Sequence, residues 1–92
     1  MNISSNGVCI HVEDKGTGDP PLAFLHYWGG SSRTWGHVTA ILARSHRTIA
    51  TDHRGWGRSD APENGYGLAD LAADALGVIR ALGLRDLSLI HI

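Results

Sequence analysis

The stretch Asp52-His53-Arg54-Gly55-Trp56-Gly57-Arg58-Ser59-Asp60 constrains the fold more than any other part of the chain. It sets an acid, an arginine and two closely spaced glycines directly after the strand-like run Arg47 to Thr51. Glycine at 55 and 57 lets the backbone turn sharply, or take positive φ where a Cβ would clash, so the loop can fold tightly against the end of its strand. Downstream, Leu68, Leu71, Ala72, Ala75, Leu76, Ile79 and Leu82 recur at helical spacing. Asp70 and Asp74 lie towards the favourable amino end of that helix, and Gly83 is placed to stop it. Strand, tight loop and amphipathic helix together make half of a crossover unit.

Upstream, Asn6-Gly7 before Val8-Cys9-Ile10-His11-Val12 predicts a hairpin turn feeding a strand, with Ile3 on the partner strand. Gly16 to Pro21 breaks regular structure, and Leu22-Ala23-Phe24-Leu25 suits a strand buried on both faces, ending at His26. Between Ser31 and Arg44, Trp35, Val38, Ile41 and Leu42 predict a first helix, capped by Ser32 or Thr34. A final apolar stub runs from Leu87 to Ile92. The order predicts an α/β fold: an antiparallel hairpin start, then parallel strands joined by crossover helices.

Composition narrows the partners. Eight basic and nine acidic residues give a net charge of −1 without a basic stripe, which argues against nucleic acid and against an anionic membrane surface. No apolar run approaches the roughly 18 residues of a spanning helix, and Met1 to Gly7 lacks the regions of a signal peptide. The lone Cys9 sits among Val8, Ile10 and Val12 as a small strand residue, so a cytoplasmic setting is expected. The six histidines include no H-x-x-x-H pair and no neighbouring cysteine set, so no metal is expected.

In an open α/β sheet, ligands bind beyond the carboxyl ends of the strands. The unusual residues follow two such ends: His26-Tyr27-Trp28-Gly29-Gly30 and Asp52 to Asp60. The second loop resembles the D-x-R-G-x-G-x-S loop of α/β-hydrolases, and the first stands where that family carries its H-G-x loop. The resemblance covers nearly the whole chain, as the amino-terminal half of an α/β-hydrolase sheet truncated at the fifth strand. It implies that the backbone N–H of Trp28 donates to the oxyanion formed in acyl transfer. His26, Tyr27 and Gly29 then line the pocket or brace the loop, and Asp52, Arg54, Gly55, Gly57 and Ser59 are structural markers. Tyr27 departs from the usual glycine, and Gly29 stands where epoxide hydrolases often carry proline, which points away from that branch. A tryptophan at the oxyanion position is similar to bacterial arylesterases and cofactor-free haloperoxidase-like perhydrolases. An ester or related acyl bond in a small molecule is the substrate class implied, with no cofactor.

Gly57-Arg58-Ser59-Asp60-Ala61 nearly copies a G-x-S-x-G nucleophile elbow, but Ser59 follows a glycine loop and precedes Pro62-Glu63-Asn64-Gly65, where an elbow needs a strand in and a helix out. In the hydrolase pattern the nucleophile falls about one residue beyond Ile92, with acid and histidine later still, so these residues alone are expected to be inactive. Residues 1–86 are expected to form the partial domain. Leu87 to Ile92 is either the start of its fifth strand or the translation of CTG TCT CTT ATA CAC ATC, the opening of a common transposon-end sequencing adapter. Genomic DNA encoding the hexapeptide inside a longer uninterrupted frame would refute the adapter reading. Two other functions fit the same pattern of elements. A Rossmann-like nucleotide-binding module finds a foothold only in Gly29-Gly30-Ser31-Ser32, with Asp60 in place of a third glycine after Gly55 and Gly57. A non-catalytic α/β interaction domain would require a natural gene ending near residue 92.

Overall fold

The chain begins with a hairpin because Asn6 and Gly7 adopt positive φ, 51° and 79°, which a two-residue turn of matching twist demands. The turn joins β1 (Asn2–Ser5) to β2 (Val8–Lys15), antiparallel, with Ile3 opposite Ile10. In the computed structural model residues 1–27 and 29–91 are described, without the side chains of Ile90 and His91. Strand β3 (Leu22–Leu25) follows, then a 3-10 turn (Ser32–Trp35) running into α1 (Gly36–Leu42), β4 (Thr48–Thr51), α2 (Leu68–Ala81) and β5 (Ser88–His91). The sheet order is β1-β2-β4-β3-β5. β2 runs antiparallel to β4, and β3 lies parallel to both β4 and β5, which is the hairpin start and parallel continuation expected from the sequence.

Connections from β3 to β4 and from β4 to β5 travel in opposite directions along this order, so right-handed crossovers put their helices on opposite faces. The side chains agree. Val8, Ile10, Val12 and Ile49 bury one face against Val78 of α2, while Leu22, Phe24 and Ala50 bury the other against Trp35 and Leu42. Phe24 is fully buried, its ring 5.2 Å from that of Trp35 and tilted by 52°, a favourable aromatic geometry.

Both helices differ in detail from their sequence reading. Ser31, rather than Ser32 or Thr34, caps the first: its Oγ accepts from Arg33 N–H, and Thr34 Oγ1 accepts from Ser31 N–H. A 3-10 first turn shifts the helical phase, so Trp35, Thr39 and Leu42 face the sheet while Val38 and Ile41 are exposed. On α2 the buried line is Leu71, Asp74 and Val78, and Leu68 and Leu76 face outward. Asp70 does serve the amino end, accepting Gly67 N–H at 3.1 Å, but Asp74 is a buried residue with another task. Gly83, at φ 66°, ends the helix as expected.

Helix α2 approaches β1 closely at Gly77, where a Cβ would collide with the Oγ and Cβ of Ser5. That hydroxyl donates to the Asp74 carbonyl at 2.7 Å. Gly77→Ala is therefore expected to destabilise by about 1–3 kcal/mol through overpacking, although alanine favours helix by about 1 kcal/mol. A urea midpoint at or above the parent's would contradict this contact.

Candidate active site

Strands β3 and β4 are neighbours whose outgoing chains head for opposite faces, the arrangement that opens a crevice at strand ends. Both unusual loops meet there. After β3 the chain doubles back: the Tyr27 carbonyl accepts Gly30 N–H at 2.9 Å, and Gly29 has φ 90°. Trp28, the expected oxyanion donor, lies outside the described residues. Tyr27 is half exposed beside it, whereas His26 is buried. The His26 Nδ1 lies 2.7 Å from the Tyr27 carbonyl oxygen, and its Nε2 lies 2.8 Å from the backbone N of His53 in the other loop.

The loop after β4 is organised around two buried charges. Asp52 Oδ1 accepts Ser32 N–H at 2.5 Å, Oδ2 accepts Arg58 N–H at 2.9 Å, and the Ser59 hydroxyl donates to the Asp52 carbonyl at 2.6 Å. One carboxylate thus joins the start of the first helix to the second loop. Gly57 has φ 55°, and a Cβ there would run into that carboxylate; Gly55 has φ 85° and faces the Tyr66 ring. Ser59 Oγ also accepts His11 N–H at 2.8 Å, so the hydroxyl is committed to β2 and its own loop.

Arg54 reaches away from the crevice. Its Nε and Nη2 donate to the two carboxylate oxygens of Asp74 at 2.6 and 2.7 Å, with both residues buried. Asn6 Nδ2 donates to the same carboxylate at 3.1 Å, so the hairpin turn, the loop and α2 converge on one acid. Sequence reasoning missed Asp74 as part of this framework. Its signal was available: an acid three residues after Leu71 and four before Val78 sits on the apolar line of the helix.

Burial alone would raise the Asp52 pKa, but the N–H groups of Arg58 and Ser32 outweigh it and hold the carboxyl below its ordinary value. A depressed folded value contributes stability that is fully present above the unfolded pKa of about 3.9 and is lost as pH falls through the folded one. Asp52→Asn leaves one of the two N–H groups facing an NH2, at a cost of about 1–3 kcal/mol. Urea titrations are expected to show this gap at pH 7 and to show it closing as pH falls below 4. A gap independent of pH would contradict the charge-assisted role.

Around these loops lie two recesses. A polar one of about 260 Å³ is lined by residues that include His11, Glu13, Arg33, Asp52 and Arg58. An apolar one of about 200 Å³ is formed by Leu25, His53, Leu68, Leu71, Ala72 and Leu89. Neither is lined by His26, Tyr27 or Gly29. Among the described residues no group of acids, histidines and cysteines could hold a metal ion, and no helix is long and apolar enough to cross a membrane.

Residues 20–90 match the family model described as alpha/beta hydrolase fold. The chain belongs to the α/β-hydrolase family. It is 40% identical over 84 residues to a non-heme haloperoxidase of Rhodococcus erythropolis, covering 90% of this chain and 30% of that protein. It is 35% identical to an epoxide hydrolase of Caballeronia sordidicola, covering 97% of this chain and 28% of that one. An esterase structure from Exiguobacterium antarcticum superposes with a TM-score of 0.91 at 36% identity, over 96% of this chain and 33% of the esterase. These residues thus correspond to about a third of a hydrolase of this family.

Proposed function

We propose that the chain carries the oxyanion side of an α/β-hydrolase acting on an ester or related acyl bond, with the Trp28 backbone N–H as one oxyanion donor. The observation that carries this reading is the direct bond between the two loops, His53 N–H to His26 Nε2, at the carboxyl ends of adjacent parallel strands. A donor intended for a developing oxyanion must be held in place before the reaction, and a turn tied to a rigid neighbour achieves that. Nucleophile, acid and general base are proposed to lie outside residues 1–92, because Ser59 is spent on the β4 loop and its bonds leave it no base. By themselves these residues are then inactive. Small-molecule esters are favoured over epoxides by Gly29: its φ of 90° is closed to proline, the residue epoxide hydrolases often carry there.

The test is a graft in which this chain replaces the matching third of the Exiguobacterium antarcticum esterase. The graft is expected to fold and hydrolyse a short-chain p-nitrophenyl ester, while the 92-residue chain alone gives only the buffer rate. A folded graft with no turnover would refute the proposal.

A further inference from the structure

His26 is among the most deeply buried side chains of the chain, and both of its ring nitrogens are engaged by backbone groups with fixed roles. The Tyr27 carbonyl can only accept, so Nδ1 carries the proton; the His53 amide can only donate, so Nε2 offers a lone pair. The two contacts select one state of the ring: neutral, protonated on Nδ1. We propose that His26 is a proton-sensitive positioning residue that couples the β3 loop to the β4 loop only in this neutral form. A second proton would set Nε2–H against His53 N–H, two donors without an acceptor in a site sealed from water. The tie would then open. Because the same Tyr27 carbonyl also accepts Gly30 N–H, one oxygen joins His26 to Gly30 within the β3 loop.

The groups facing the ring come from both loops. The imidazole of His53 lies 4.4 Å from it and the indole of Trp56 lies 6.4 Å away, centroid to centroid. The carboxylate of the β4 loop, Asp52, is taken up by Ser32 and Arg58 N–H. A second bridge therefore survives when the histidine tie opens, so acidification should loosen the turn without unfolding the sheet. His53 carries a second imidazole beside the first, so the test must read His26 by its own nitrogens.

The experiment is nitrogen NMR of the 92-residue chain labelled in histidine and backbone amides, from pH 8 to pH 5. At pH 8 the His26 nitrogens are expected to show a protonated Nδ1 and a bare Nε2. On acidification, the His53 and Gly30 amides are expected to shift with the midpoint of His26 Nε2. Exchange at the His53 amide, corrected for its intrinsic pH dependence, should rise about tenfold, the loss of one net hydrogen bond. In His26→Gln the side-chain carbonyl accepts and the NH2 donates at every pH, so the Gly30 amide should stay still over this range and the His53 amide should follow its own ring alone. A proton on Nε2 at pH 8, amides that ignore His26, or an unchanged pH response in His26→Gln would each overturn the proposal. If His26→Gln does not fold, the wild-type spectra decide alone. The consequence for catalysis rests on the oxyanion reading above, but the NMR readout does not: an inactive graft with a coupled His26 would sink only that reading.

Discussion

Arg54→Ala is expected to cost about 3–5 kcal/mol, because it abandons Asp74 as a buried, unpaired carboxylate. A domain of this length has a total stability of roughly 5–14 kcal/mol, so the loss removes a large share and can abolish the folded state. The interaction is specific in shape as well as charge. Arg54→Lys is expected to recover little, since one ammonium cannot make the two parallel bonds that a guanidinium makes to a carboxylate. Replacing both partners, Arg54→Leu with Asp74→Leu, is expected to recover more than either single change, because no uncompensated charge is left inside. Urea unfolding of the five variants, the two single leucine changes included, checks this ordering. If Arg54→Ala lies within 1 kcal/mol of the parent, the pair does not hold the loop to α2, and Arg54 becomes a candidate for contact with substrate.

The framework was readable where the physics is local. Asn6-Gly7 announces its turn because few other residues accept two successive positive φ values, and the apolar period of residues 68–82 announces a helix regardless of what it packs on. Which strand sits beside which was not read: handedness fixes the face each crossover helix covers once the order β1-β2-β4-β3-β5 is known, and not the order itself. What could not be read is long range. Leu68 and Leu76 belong to the helical period yet are exposed, because the sheet presents its apolar face to Leu71 and Val78 instead. Asp74 was read as serving the helix dipole because its partner, Arg54, is twenty residues away on another element. On α1 the error was one of phase: the 3-10 turn from Ser32 to Trp35 rotates the inward face onto Thr39, a residue hydropathy does not mark. The crevice followed the same rule. The positions of its two loops were legible from the strand ends, but the bond between His26 and His53 was not, because it joins a side chain to a backbone N–H, a group every residue except proline possesses.

If a backbone donor at position 28 stabilises the oxyanion, the substitution that tests it must remove an N–H and leave the rest of the loop alone. Proline does so, since it has no backbone N–H. Trp28→Ala serves as the control, since it deletes the indole and keeps the donor. The decisive measurement is kcat for a short-chain ester in the esterase graft carrying Trp28, Trp28→Ala or Trp28→Pro, each first shown by circular dichroism to be folded. The expected result is a fall of about 10²–10³ in kcat for Trp28→Pro, the usual effect of losing one oxyanion donor, with Trp28→Ala far closer to the parent. Equal kcat for Trp28→Pro and Trp28→Ala would contradict the account, because catalysis would then not depend on the one group through which this chain is proposed to take part.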